Sequence, residues 1–206
     1  DVGSLAVNSA RIHSWTYEPT VFTDVDVFQL TSELRFHARE SMLPPALHPT
    51  TPPTLTVQVW VVRDSPWGAF NFAHTRLGCR SGSRPRGFVT AAVASTALAA
   101  DALASRFGYP CRRGAVEVDR RYDGVDVEAY GLRIRTLDPH PMNPSDVQYT
   151  SSMNLAQTPL GLQLVQIDPH IHVDRLERLQ GRVIEFDGAR WGSENIDPYF
   201  FVSASI

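Results

Sequence analysis

Residues 55–62 read L-T-V-Q-V-W-V-V. Leu55, Val57, Val59 and Val61 fall on one face of an extended chain, with Thr56, Gln58 and Trp60 on the other. Apolar residues alternating at period two, with a high β-branched content, predict a strand and not a helix. The pattern recurs at short spacing. V-D-V-F-Q-L at 25–30 predicts a strand. Asp64-Ser65-Pro66-Trp67-Gly68 is a turn signal between 55–62 and a second strand at 70–79, so the two predict a hairpin. Another turn, Ser81-Gly82-Ser83-Arg84-Pro85, leads to a strand at 87–93. Further short runs at 115–119, 125–130, 132–136, 148–154, 162–167, 182–186 and 200–204 also read as strands. Residues 47–53 and 138–145 are rich in proline and predict loops.

Helical signals are few. Residues 95–107 are rich in Ala and Leu. Ser95 or Thr96 can cap them, and Gly108 with Pro110 stops them. Residues 31–41 predict a short helix, and a second begins near Val173. Residues 1–24 read as an arm or edge strand. The chain of 206 residues suits a single domain over 1–206. The expected architecture is mainly β with helical attachments, a barrel or a sandwich.

Composition narrows the function classes. The chain is 43% hydrophobic and 20% charged, with a net charge of -3. These values fit a folded soluble domain and speak against a general nucleic-acid binder. No apolar run approaches the ~20 residues of a membrane span. Two cysteines, Cys79 and Cys111, make no disulfide framework or zinc pattern. With no signal peptide visible in the first thirty residues, a cytoplasmic location is expected. All nineteen basic residues are arginine. Without lysine, side-chain Schiff-base chemistry and a P-loop lysine are closed to this chain.

From about Arg39 onward the order of features resembles the acetoacetate decarboxylase family. The resemblance runs through Met42-Leu43-Pro44-Pro45-Ala46-Leu47, then Val61-Val62-Arg63-Asp64-Ser65 and Gly68-Ala69-Phe70-Asn71. It is strongest where the Ala-rich helix runs into Gly108-Tyr109-Pro110-Cys111-Arg112-Arg113, and it continues through 162–168 and Arg182-Val183-Ile184-Glu185-Phe186. The resemblance implies a closed, cone-shaped β-barrel with peripheral helices, a buried and largely apolar pocket, and a homo-oligomer. It also implies losses. The family's Lys-Lys pair, which forms and tunes the Schiff base, falls on Cys111 and Arg112. Its two glutamates fall on Phe72 and Gln58, and its early substrate-binding arginine falls near Val25. Imine-based decarboxylation is therefore rejected while the fold is retained.

Strand parity then places Thr56, Gln58 and Trp60 on one inward face, and Phe70, Phe72 and His74 on another. Tyr109, Cys111 and Arg112 complete the expected lining. In this reading His74, Tyr109, Arg112 and Gln58 are the catalytic candidates. His74 serves as acid or base, Tyr109 and Gln58 as hydrogen-bonding groups for a carbonyl, and Arg112 as a carboxylate or enolate clamp. Thr56, Trp60, Phe70, Phe72 and Cys111 are the substrate-contacting candidates. Cys111 is also a candidate nucleophile if Arg112 and Arg113 favour its thiolate. No cofactor is expected. His170 and His172 lack a third ligand, so no metal is expected. The expected partner is a small molecule, with neither nucleic acid nor membrane.

Two functions compete. The first is a Schiff-base-independent tailoring enzyme of secondary metabolism, of cyclase, lyase or dehydratase type, acting on a polyketide-like or β-dicarbonyl substrate. The second is a non-catalytic binding protein for a lipophilic small molecule.

Overall fold

The computed structural model describes residues 2–14, 18–35, 42–146 and 149–206. In chain order the elements begin with α1 (Val2–Val7), β1 (Ala10–Arg11), β2 (Thr23–Leu34), β3 (His48–Pro49), β4 (Thr54–Asp64), β5 (Phe70–Ser81) and β6 (Arg84–Ala94). After α2 (Ala97–Phe107) come β7 (Cys111–Arg113), β8 (Val116–Arg121), β9 (Gly124–Ala129), β10 (Leu132–Met142), β11 (Ser152–Thr158), β12 (Gly161–Ile167), β13 (Leu176–Phe186) and β14 (Pro198–Ser205). The mainly β class is as expected.

The strands form one sheet in the order β1-β11-β6-β5-β4-β2-β14-β13-β10-β9-β8, with β12 beside β11, β3 beside β5 and β7 beside β6. The closed barrel expected from the resemblance is not completed. The path has two ends, and among the described residues no strand ladder joins them. Where β8 returns to the centre of the sheet, other bonds make the link. Asn71 Nδ2 donates to the Val116 carbonyl at 2.8 Å, and the Gly114 N–H to the Ala94 carbonyl at 3.0 Å.

Three local expectations are corrected. The helix expected at 31–41 is replaced, through Leu34, by the second half of β2; residues 36–41 lie outside the described residues. There Ser32 and Leu34 are buried and alternate with less buried Thr31 and Glu33, a period of two. The loop expected at 138–145 is strand up to Met142. A register shift between Leu137 and His140 absorbs Pro139, and Asp138 takes a positive φ of 56°. The helix expected near Val173 does not form; the chain stays irregular until β13.

The central strands β4, β5 and β6 separate two unlike faces. On one, Val57, Val59, Ala73, Ala91 and Val93 join Phe28, Leu30, Val127, Ile134, Leu179 and Trp191 in the main core. This cluster draws on β2, β4–β6, β8–β10, β13 and β14, so the sheet curls around it. On the other face, Phe70, Phe72, Ala92 and Ala94 pack against α2 through Ala99, Ala100 and Leu103, and against Tyr109. The Thr96 side chain caps α2 by accepting from the Ala99 N–H at 3.3 Å, and Gly108 ends it at φ 71°.

Candidate functional site

The second face carries most of the candidate residues, placed by antiparallel register. Thr56, Gln58 and Trp60 of β4 stand opposite Arg76, His74 and Phe72 of β5. Gln29 of β2 stands opposite Gln58, and Ala92 of β6 opposite His74. Cys111 of β7 is in register with Ala92, which extends the same row across the sheet. Beyond α2, the left-handed Gly108 turns the chain so that Tyr109 reaches the row. The end of the helix is held by Asn154 Nδ2, which donates to the Phe107 carbonyl at 2.8 Å.

Three rings form the centre. Phe72 stacks on His74 with centroids 4.8 Å apart, and Tyr109 meets both edge-on at 5.2 and 5.5 Å. Trp60 Nε1 donates to Gln58 Oε1 at 3.3 Å, and Gln58 Nε2 to Gln29 Oε1 at 2.9 Å. Arg76 Nη2 donates to the same Gln29 oxygen at 3.3 Å. Thr56 and Thr31 share a hydroxyl hydrogen bond of 3.1 Å at the half-buried edge. His74 is 1% exposed, and neither ring nitrogen has a hydrogen-bond partner among the described residues. Asn154 Oδ1 and Arg76 Nε are buried and unpartnered in the same way.

The electrostatics follow from burial. His74 is held well below the usual imidazole range, first by burial and then by the Arg76 charge, so it is neutral. Burial also lowers Arg76, to about 10, which leaves it cationic at neutral pH. Burial raises the Tyr109 phenol, against a Ser152 hydrogen bond and the Arg76 charge, which lower it. The assembly is thus one cation, one neutral imidazole, one neutral phenol and several amides within an aromatic wall.

Two sequence expectations need correction. Arg112 is in register with Val93, a residue of the opposite, core-facing side. Its side chain is exposed and lies over the Tyr130 ring at 5.1 Å, donating to the Tyr130 hydroxyl at 2.8 Å. Arg112 is therefore no clamp for a ligand beside His74. Cys111 sits on the expected face, but burial pushes its thiol up to about 12, outweighing the lowering by Arg112. It is a protonated thiol and not an activated nucleophile. Phe70 shares the face but packs further along it, against Phe22 at 5.7 Å and Trp67 at 5.9 Å.

Arg76, two residues beyond His74 on the same strand face, is absent from the lining expected from the sequence. Gln29, the cross-strand partner of Gln58, and Ser152 and Asn154 of β11 are absent from it too. The H-x-R spacing within a strand was the available signal for Arg76.

The three rings fill the space between themselves. A separate open cleft of about 380 Å³, walled by residues such as Met42, Phe88, Thr90, Leu155 and Gly192, has none of Gln58, Phe72, His74, Arg76, Tyr109 or Cys111 in its lining. That wall also includes Val89, opposite Arg76 in the β5–β6 register, and Pro110, which follows Tyr109.

No family model and no curated protein matches the sequence. Solved structures do match. An acetoacetate decarboxylase from Legionella pneumophila superposes with a TM-score of 0.80 at 16% identity, covering 91% of this chain and 82% of that one. The enduracididine biosynthesis enzyme MppR in complex with pyruvate gives 0.70 at 14% identity, covering 88% and 82%. An acetoacetate decarboxylase-like enzyme from Sphingomonas wittichii RW1 gives 0.67 at 13% identity, covering 88% and 85%. A curled mainly β sheet with α2 leading into Gly108-Tyr109-Pro110 is thus an acetoacetate decarboxylase-like fold, here on a chain with no lysine.

Proposed function

We propose that the chain is an imine-independent enzyme of small-molecule metabolism acting on a carbonyl compound of the β-dicarbonyl or polyketide-like class, in a cyclase, lyase or dehydratase step. One observation carries this reading. His74 is buried and neutral, with both nitrogens unpartnered, against Phe72 and Tyr109 and beside Arg76. Leaving such groups unsatisfied costs roughly 1–3 kcal/mol each, and the carbonyl oxygen of a bound compound would accept from the imidazole N–H. MppR, which shares the fold, holds pyruvate, and this supports a small carbonyl ligand on the scaffold.

The chemistry is proton transfer next to a polarised carbonyl. An imidazole nitrogen removes an α-proton from the substrate; the C–H electron pair becomes the carbon–carbon double bond of the enolate, and the carbonyl π pair moves onto the oxygen. The Tyr109 hydroxyl and the Arg76 cation stabilise the resulting enolate. As negative charge develops beside Arg76, the imidazole accepts its proton more readily, because the opposing charge is offset.

The test is α-proton exchange of a β-keto ester in D2O, followed by NMR. The wild-type chain should accelerate exchange about a hundredfold or more. His74→Phe should abolish the acceleration and retain binding. A wild-type chain that binds the ester without accelerating exchange is a carrier, the second reading.

A further inference from the structure

Two charged side chains are deeply buried among the described residues, and their surroundings differ. Glu177 is 7% exposed and accepts from Arg120 Nη2 at 2.8 Å and from Arg175. Arg76 is 4% exposed and meets no carboxylate among the described residues. Its Nη1 donates to the Thr150 carbonyl at 2.8 Å and to Ser152 Oγ at 3.5 Å, and its Nη2 to Gln29 Oε1 at 3.3 Å. All three acceptors are neutral, and Nε is left without one. Exposed arginines such as Arg63 and Arg133 do face carboxylates, where pairing contributes little. Arg76 is the most deeply buried arginine among the described residues, where an unpaired charge costs most.

We propose that Arg76 seats the charge of a ligand, a small organic monoanion whose charge is shared between two oxygens: a carboxylate, or the enolate of a 1,3-dicarbonyl compound. This rests on the His74 face being a small-molecule site. The guanidinium fork suits paired oxygens, and its free Nε adds a donor. The unpartnered His74 nitrogens stand two residues away on the same strand face. Gly87 makes room for the arrangement, since a Cβ there would meet Arg76 Cδ at 3.0 Å and Nε at 3.3 Å. Phe72 and Trp60 offer apolar surface to the carbon part. His74 and Tyr109 are neutral, so one positive charge awaits one negative charge.

Titration calorimetry on the full chain at neutral pH tests this with three six-membered rings: cyclohexanecarboxylate, 1,3-cyclohexanedione as its enolate, and neutral cyclohexanone. At least one anion should bind roughly thirtyfold or more tightly than cyclohexanone. The anion that wins identifies carboxylate or enolate as the natural chemistry. Arg76→Met should remove that preference, and Arg76→Lys should keep part of it. Arg76→Met should also melt no lower than wild type without ligand, because it removes an uncompensated buried charge. Cyclohexanone binding as tightly as both anions overturns the anion seat while leaving the carbonyl site standing. An anion preference that survives in Arg76→Met assigns the charge elsewhere and overturns it too. No binding of any of the three overturns the seat and the small-molecule site together. The wild-type comparison needs no variant, so a poorly folding substitution cannot shield the proposal.

Discussion

Phe28 and Gln29 are neighbours in β2 that point to opposite sides of the sheet. Phe28 enters the main core opposite Val59, among apolar side chains and paired hydroxyls such as Thr75 and Thr136, with Trp191 Nε1 the unpartnered polar atom of that cluster among the described residues. Gln29 joins Gln58, Trp60 and Arg76 in a polar chain beside a histidine with no partners. The first face behaves as expected of a stability core, and deleting its side chains leaves cavities. The second face holds groups that weaken the ligand-free fold. A stabilising surface would have replaced them, so their presence points to binding or chemistry.

The largest expected effect lies on the apolar face. Phe28→Ala should lower unfolding free energy by about 3–5 kcal/mol in urea titration, with affinity for small anions unchanged in the fraction that remains folded. A loss under about 1 kcal/mol would mean that the core cluster does not dominate stability, and the contrast between faces would fail.

His74→Phe comes next and should act in the opposite direction. Replacing an unpartnered imidazole with an apolar ring that keeps the Phe72 stack should raise ligand-free stability by roughly 1–3 kcal/mol. The pH dependence follows from the lowered folded-state value. Below the ordinary value of 6.5 the unfolded chain takes up a proton on His74 and the folded chain does not. Stability therefore falls as pH drops below that value, by up to about 1.4 kcal/mol per pH unit for this one group. In the variant this part of the slope should vanish between neutrality and mild acid. Melting curves with the same slope in both proteins would show that His74 is protonated in the fold and hydrogen-bonded after all.

A smaller effect belongs to the polar chain itself. Gln58→Met keeps the volume and removes the bonds to Gln29 and Trp60. Thermal melting should report a loss of about 0.5–1.5 kcal/mol, with weaker anion binding because Gln29 is no longer held for Arg76. An unchanged affinity would separate Arg76 from the Gln29–Gln58 chain.

The sequence made the strand pattern legible wherever side chains alternate, as at Leu55, Val57 and Val59. The same parity put Gln58, Trp60, Phe72 and His74 on one face. Three things were hidden for physical reasons. Residues 31–34 have no strong local preference, and pairing of β2 with β4 decides their state. The prolines of β10 suggest a loop until a register shift accommodates them. The importance of Arg76 comes from what surrounds it. Burial beside Thr150, Ser152 and Gln29 is set by strands far apart in sequence, and no local pattern announces a missing counter-ion.

Arg112 gives the smallest and most discriminating case, because sequence and structure disagree about its side. A side chain inside the site would be expected to cost much of the affinity when removed. The structure instead places it in register with core-facing Val93 and then outward, stacked on Tyr130 at 5.1 Å. Tyr130 is itself fixed, since Tyr130 and Gly131 take φ values of 45° and 79° in the tight turn between β9 and β10. An exposed cation–π contact on a rigid turn contributes about 0.5–1 kcal/mol. Arg112→Ala should therefore shift the melting temperature slightly and leave anion affinity and proton exchange at wild-type levels. A marked loss of either would return Arg112 to the site and require β7 to turn its side chains the other way.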